Sequence, residues 1–230
     1  MNIWFHGGGY ACIWSFGVAQ AFKKLNISVD NIGGYSAGAL VATFLCNPHS
    51  CVDLCLKSCY DGPYGPNKGR ISLLGRHEKN MACMGNATAG NPLDWNLGHN
   101  FNGRLWIPIR GLKSFKGTWR TKYRSYDDLI ECIVATGCIP GVSGEFSRCY
   151  YDDAGDRRGP SIDGGLFSLS PPAKWVGKNI IVSPWGKGDL NMNPRASLKD
   201  IVSPSLSALE KYYALGLEQG QTYCRNLLSL

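Results

Sequence analysis

The first 46 residues repeat one pattern of apolar and polar positions twice. The β-prone run "NIWF" precedes a glycine loop, and "YACIWSFGVAQAFKKL" then carries apolar residues at roughly helical spacing and ends in lysines, which suit a helix C-terminus. "ISVDNIGGYS" predicts a second strand, and the apolar run "AGALVATFLC" predicts a second helix. This alternation of strand, loop and helix indicates the start of a parallel α/β sheet.

The pattern changes in the middle of the chain. Residues 61–103 are rich in glycine, asparagine and proline and show little periodicity, which predicts a long loop region, a lid or an insertion. "RLWIPIRG" predicts a strand, with more β structure up to Tyr123, and "SYDDLIECIVATG" predicts a helix with a serine cap. A hairpin over "RCYYDDAGDRRGPSIDGG", the buried strand "NIIVSPW" and an amphipathic helix that begins within "SPSLSALEK" follow.

Length and charge limit the classes of protein that fit. A chain of 230 residues with 44% hydrophobic residues predicts a single domain, residues 1–230, with a full core. The net charge of +7 suits an anionic partner, either a phospholipid surface or a nucleic acid. The densest basic stretch, Arg110 to Arg124, interleaves aromatic residues. It fits single-stranded nucleic acid, a lipid headgroup layer, or a solvated hairpin with its aromatic side chains turned inward.

The ten cysteines do not predict a secreted disulfide scaffold. The N-terminus lacks the features of a signal peptide, and no run reaches the roughly 18 apolar residues of a membrane-spanning helix. We therefore expect a cytoplasmic protein with reduced thiols. Cys51, Cys55 and Cys59 would share one face of a helix, too far apart in rise to close on one ion, so we expect small buried hydrophobes and no metal site.

The sequence around Ser36 has the form of a nucleophile elbow. Gly34-Tyr35-Ser36-Ala37-Gly38 fits G-x-S-x-G between a predicted strand and a predicted helix. A side chain at Gly34 or Gly38, two positions before or after Ser36, would collide with the neighbouring strand and helix. The helix that starts at Ala37 directs its N–H groups and its positive dipole end toward the serine oxygen. The alternative is an ordinary glycine-rich turn.

The glycine run Gly7-Gly8-Gly9 ends the first predicted strand. Without side chains, its N–H groups are open to a substrate oxygen, as an oxyanion hole requires. A dinucleotide loop would need a third glycine where the chain has Cys12, which weakens that interpretation, and no G-K-[ST] follows for a P-loop. We expect no cofactor.

An activated serine needs a base, and the last of the four histidines is His99, ahead of every late strand. An α/β-hydrolase has the order Ser, acid, His, with the histidine after a late strand, so such a triad would require a permuted order here. Asp163, followed by Gly164 and Gly165 after a predicted hairpin, is the best-placed acid, although an ordinary Asp-Gly turn would look the same. In a dry cleft a carboxylate becomes more basic and can take the serine proton directly.

Together, "GGG", "GYSAG" and "DGG" resemble the patatin-like phospholipase family over about residues 1–185, with "LIECIVATGCIPGVSGEF" also similar to a segment of that family. The resemblance implies a three-layer α/β/α fold with a mostly parallel central sheet. It also implies a Ser–Asp dyad that hydrolyses lipid acyl esters without histidine or metal. Ser36 would be the nucleophile, Asp163 the base, and Gly7, Gly8 and Gly9, with the N–H of Ala37, the oxyanion hole.

One departure from the family pattern bears on which lipid is the substrate. Many members follow the glycine run with x-[RK]-G, whereas this chain has Tyr10-Ala11-Cys12, closer to the animal triacylglycerol-lipase-like members. A phospholipase or lysophospholipase and a triacylglycerol lipase therefore both stay open.

Two other classes of function also fit parts of the sequence. One is a catalytically silent protein that binds lipid or membrane, against which the intact Ser36 and Asp163 argue. The other is a nucleic-acid binder that uses the stretch from Arg110 to Arg124, which predicts salt-sensitive binding to single strands. The hydrolase interpretation implies peripheral contact with membranes or lipid droplets.

Overall fold

The computed structural model describes residues 1–61, 77–90, 100–112, 117–139, 149–154, 156–166 and 170–229. The strands are β1 (Asn2–Phe5), β2 (Asn31–Gly34), β3 (Leu105–Gly111), β4 (Gly117–Arg120), β5 (Cys149–Tyr151), β6 (Arg157–Ile162), β7 (Asn179–Ser183) and β8 (Leu190–Asn191). The helices are α1 (Cys12–Lys24), α2 (Ala37–Cys46), α3 (Val52–Asp61), α4 (His77–Ala89), α5 (Tyr126–Thr136), α6 (Leu198–Val202) and α7 (Leu206–Leu228). Short 3-10 turns cover Gly9–Ala11 and Gly164–Leu166.

These strands form a mixed, mostly parallel sheet in the order β5-β6-β3-β2-β1-β7-β8, and β4 also pairs with β3. Strands β1, β2, β3, β7 and β8 run parallel to their neighbours within that group, whereas β4, β5 and β6 pair antiparallel. The carboxyl ends of β1, β2 and β7 therefore lie at one edge. The predicted α/β class is confirmed, and so is the repeated strand, loop and helix of the first 46 residues.

The two faces of the sheet have different environments. Because side chains alternate along a strand, Ile3 and Phe5 face the large core built with helices α1, α2, α4, α5 and α7. Trp4 faces the other way and packs with Tyr35, Trp106 and Trp175 in a second cluster.

The prediction of a loop over residues 61–103 is wrong for residues 77–89, which form α4. The helix was missed because its buried positions, Met81, Met84 and Ala87, are spaced by three but are not strongly hydrophobic. They pack against α2 and α5. Residues 62–76 and 91–99, the rest of the possible lid, lie outside the described residues.

The basic stretch contains a buried ion pair. Arg120 is fully buried, and its guanidinium donates to Asp128 Oδ2 at 2.9 Å and to Asp153 Oδ1 at 3.1 Å. Trp119 packs against Trp4, and the side chain of Tyr123 is buried. The described part of the stretch therefore fits the hairpin with inward aromatic side chains, and Arg120 is not available to an external anion; residues 113–116 lie outside the description.

The cysteine prediction is confirmed in part. Cys55 and Cys59 are buried in α3, and burial raises the pKa of both thiols. Cys51 precedes α3 and is exposed, so the prediction of burial is wrong for this residue. The described helices include none that is long and apolar enough to cross a membrane.

Helices α1 and α7 pack closely where they cross, because each helix has a glycine against the backbone of the other. A methyl group added to Gly216 would lie 1.9 Å from the carbonyl oxygen of Trp14, and one added to Gly17 would lie 2.3 Å from that of Tyr213. Beside this crossing, the indole N–H of Trp14 donates to Gln219 Oε1 at 2.7 Å.

We expect Gly216→Ala to lower the free energy of unfolding by about 2 kcal/mol or more, because the helices must separate to admit the methyl group. Urea titration followed by circular dichroism measures this change. Gly159→Ala, where an added methyl group meets no atom within 4 Å, is the matched control and should be close to neutral. Equal stability of the two variants would contradict the close crossing.

Candidate active site

Ser36 occupies a strained turn between β2 and α2. Its φ of 53° and ψ of −133° lie outside the regions that non-glycine residues usually adopt. A methyl group added to Gly38 would lie 2.3 Å from the carbonyl oxygen of Phe5, and one added to Gly34 would lie 2.6 Å from that of Gly38. Only glycines at these two positions let strand, turn and helix approach so closely. Strain of this kind is stored preferentially at functional sites.

Helix α2 begins at Ala37, directly after Ser36. Gly38 and Ala39 donate their N–H groups to the carbonyls of Tyr35 and Ser36, at 2.9 Å and 3.0 Å. The N–H of Ala37, at the first position of the helix, has no carbonyl one turn earlier within the helix to bond. It is therefore a donor available near the serine, at the positive end of the helix dipole.

The glycine loop follows β1 and contacts the elbow. A methyl group added to Gly7 would lie 2.8 Å from Ser36 Cβ, so the backbone of this loop runs against the serine. Gly9 has a φ of +54°, a conformation that favours glycine. The loop and the elbow meet because β1 and β2 are parallel neighbours, with Phe5 opposite Gly34.

Asp163 reaches the same place from a distant part of the chain. It follows β6, whose Ile162 pairs with Arg110 of β3, the strand beside β2. Its backbone N–H donates to the carbonyl of Cys138 at 2.6 Å, and its Oδ1 accepts from the N–H of Gly165 at 2.7 Å. The carboxyl group is hydrogen-bonded to the side chain of Ser36.

The environment of Asp163 changes its acidity. Burial raises its pKa from 3.8 to about 6, because a charged carboxylate loses its hydration in the protein interior. The hydrogen bonds from Ser36 and Gly165 favour the charged form and oppose this rise. The carboxylate is therefore more basic than an exposed aspartate and is still mostly ionised at neutral pH.

Thr136 connects the elbow to β3 and was not predicted from the sequence. Its hydroxyl donates to the carbonyl of Pro108 at 2.6 Å and accepts from the N–H of Ser36 at 3.3 Å. A methyl group added to Gly164 would come within 2.9 Å of this hydroxyl. The sequence shows a threonine at the end of an apolar helix. It does not show that this threonine bonds Pro108 in the sheet, because the two residues are 28 positions apart.

Tyr35 is a second unpredicted residue at the site. Its ring is so close to Gly165 that a methyl group there would lie 2.1 Å from a ring carbon. Burial, and then the negative charge of Asp163, raises the pKa of its hydroxyl. Tyr35 therefore lies close to the Asp163 carboxyl group.

His6 does not pair with Ser36 in the described structure. The imidazole is buried, and its Nδ1 lies 3.0 Å from Ser183 Oγ, on the β7 side of the glycine loop. The side chains of His77 and His99 lie outside the description. Among the residues that the structure describes, Asp163 is the acid that is hydrogen-bonded to the Ser36 side chain.

The fold and the turn at Ser36 place the molecule among α/β proteins that carry a serine on a strand-to-helix elbow. The chain belongs to the patatin-like phospholipase family, whose family model matches residues 3–173. It is 25% identical over 201 residues to patatin-like phospholipase domain-containing protein 4 of Homo sapiens, covering 85% of this chain and 75% of that protein.

A solved structure, VipD from Legionella pneumophila, is similar with 10% sequence identity and a TM-score of 0.39. The similar region covers 79% of this chain and 49% of that chain, so the protein described here spans about half the length of VipD.

Proposed function

We propose that this protein is a lipid acyl ester hydrolase that works with a Ser36–Asp163 dyad. The observation that carries the proposal is the hydrogen bond between the Ser36 side chain and the buried carboxyl group of Asp163. Family membership supports an ester of a lipid as the substrate. Both a phospholipid and a triacylglycerol fit this chemistry.

The reaction would begin with attack of Ser36 Oγ on the ester carbonyl carbon while Asp163 accepts the hydroxyl proton. The negative charge that develops on the carbonyl oxygen would be stabilised by backbone N–H groups of the glycine loop, Gly7 to Gly9, and of Ala37. The proton then passes to the departing alcohol, which leaves an acyl group on Ser36. Water, deprotonated by Asp163, attacks this second ester, releases the fatty acid and regenerates the serine.

Contact with a lipid surface is part of the proposal. Ile201 of α6 lies against Gly9, since a methyl group added there would be 2.9 Å from the carbonyl oxygen of Ile201. In the same short helix, Leu198 leaves 81% of its surface exposed. An exposed leucine on the helix that contacts the glycine loop would suit peripheral binding to a membrane or lipid droplet.

The pH dependence of serine labelling tests the proposed dyad. We expect a fluorophosphonate to label Ser36 slowly below pH 6 and faster as pH rises, by up to about tenfold per pH unit, with a plateau above about pH 7. The reason is that Asp163 accepts a proton only when ionised, and its pKa is about 6. Mass spectrometry of intact protein measures the rate, with Ser36→Ala as the blank.

Absence of labelling at any pH, or labelling of the Ser36→Ala blank, would contradict the assignment. Turnover of a phospholipid, a lysophospholipid and a triacylglycerol, each measured against the same blank, then identifies the substrate class.

A further inference from the structure

A tryptophan that follows β7 is bonded to the backbone of the glycine loop. The indole N–H of Trp185 donates to the carbonyl oxygen of Gly7 at 2.7 Å. Strands β1 and β7 are parallel neighbours, with Phe5 opposite Val182, so the segments that follow them meet at the same edge of the sheet. This contact joins residues that are 178 positions apart.

The bond determines which way a peptide N–H points. The carbonyl of Gly7 and the N–H of Gly8 belong to one planar trans peptide, so they point in opposite directions. With the carbonyl directed at Trp185, the N–H of Gly8 is directed away from the indole. In the opposite orientation of this peptide, a carbonyl oxygen would stand where the N–H now stands, and it would repel a developing oxyanion.

The local sequence gives this peptide little resistance to rotation. Gly7 and Gly8 both lack a side chain, and glycine adopts backbone conformations that other residues avoid. A contact from outside the loop can therefore decide which orientation this peptide keeps. Among the described residues, the indole of Trp185 supplies a hydrogen bond to this carbonyl.

Trp185 is itself held in place by the adjoining chain. Its backbone N–H donates to Ser183 Oγ at 3.2 Å, and the same hydroxyl is hydrogen-bonded to His6. Pro184 also packs against the loop, since a methyl group added to Gly8 would lie 2.8 Å from its ring. Nevertheless, Trp185 leaves 40% of its surface exposed, so core packing alone does not explain its position.

We propose that Trp185 is a positioning residue that holds the N–H of Gly8 toward the carbonyl oxygen of an ester bound at Ser36. This inference rests on the hydrolase function proposed above. An exposed tryptophan that lies outside the glycine-loop and elbow motifs would thus control the orientation of an oxyanion donor.

The test replaces Trp185 with phenylalanine, which keeps an aromatic ring and removes the N–H. We expect kcat for p-nitrophenyl butyrate, a short soluble ester, to fall roughly tenfold with KM unchanged. The loss should stay below the roughly 100-fold to 1,000-fold loss that follows removal of one oxyanion donor, because the flexible peptide still visits the correct orientation. Trp106→Phe is the matched control, because it removes an indole N–H that donates to the carbonyl of Gly103 at 3.3 Å.

A transition-state analogue separates positioning from folding. A trifluoromethyl ketone forms a hemiketal on the serine that carries an oxyanion, so its Ki for Trp185→Phe should rise by the same factor as kcat/KM falls. An unchanged Ki, an unchanged kcat, or a change confined to KM would overturn the positioning role. Hydrolysis by the wild-type chain but not by Ser36→Ala would leave the proposed function standing in any of those cases. No hydrolysis by the wild-type chain would overturn both.

Discussion

Replacing Ser36 with alanine is expected to lower the rate of ester hydrolysis by about 10⁴-fold or more. The proposed reaction requires a covalent acyl intermediate on this hydroxyl, and alanine can form none. The fold should persist, because the methyl group is smaller than the side chain that it replaces and Thr136 still accepts the N–H of residue 36. Release of p-nitrophenol from a short ester measures the rate, and thermal unfolding verifies the fold.

The matched control for this variant is Ser28→Ala. Ser28 is exposed and precedes β2, so it lies at the opposite edge of the sheet from the elbow that follows the same strand. Its replacement should leave hydrolysis unchanged. If both Ser36→Ala and Ser28→Ala kept the wild-type rate, the nucleophile would lie elsewhere and the proposed function would fail.

The local part of this architecture could be predicted from the sequence because short-range physics determines it. The spacing of apolar residues gave β1, α1, β2 and α2, and the glycines around Ser36 gave the turn between them. A serine cap with acids in the next turn identified α5, whose Ser125 side chain accepts the N–H of Asp128. In each of these elements the signal and the structure that it specifies lie within about one helical turn.

The rest depended on contacts between distant residues, which periodicity does not contain. Helix α4 packs through small and sulfur-containing side chains, so its pattern resembled that of a loop. Thr136 and Trp185 gain their roles from carbonyls in other strands and loops, at Pro108 and Gly7. The pairing of Ser36 with Asp163 was expected from the resemblance, and an Asp-Gly turn alone would not have identified it.

Replacing Asp163 with asparagine is expected to lower kcat by about 10³- to 10⁴-fold. Asparagine has nearly the same size but cannot accept the proton of Ser36 at neutral pH, so the hydroxyl would have to react without a base. Its amide oxygen can still accept the N–H of Gly165, which now donates to Oδ1 of the carboxylate. Steady-state rates on a short ester at pH 8 measure the loss.

Asp127→Asn is the matched control, because it removes a carboxylate that is exposed in the first turn of α5. It should leave kcat unchanged. A fall of less than about tenfold for Asp163→Asn would contradict its role as the base, since removal of the general base from a dyad costs far more than that.

Stability should change in the opposite direction to activity. The pKa of Asp163 is about 6 in the folded protein and 3.8 without the effect of burial, so the folded state holds its proton more tightly than the unfolded state. The contribution of Asp163 to the free energy of unfolding is fully present below pH 3.8 and is lost as the pH rises to about 6. At pH 8 the wild-type protein therefore carries a penalty of up to about 3 kcal/mol.

Asparagine has no charge to desolvate, so Asp163→Asn should unfold at the same or a higher temperature than the wild type at pH 8. Its advantage should shrink as the pH is lowered from 8 to 4.5, because the wild-type carboxyl group then becomes protonated in the folded state. Differential scanning calorimetry at both pH values measures the two differences. A carboxylate that only supported the fold would give the reverse result, with activity and stability lost together at pH 8. Inactivation without destabilisation would therefore indicate that Asp163 is kept buried for its basicity, at a cost in stability.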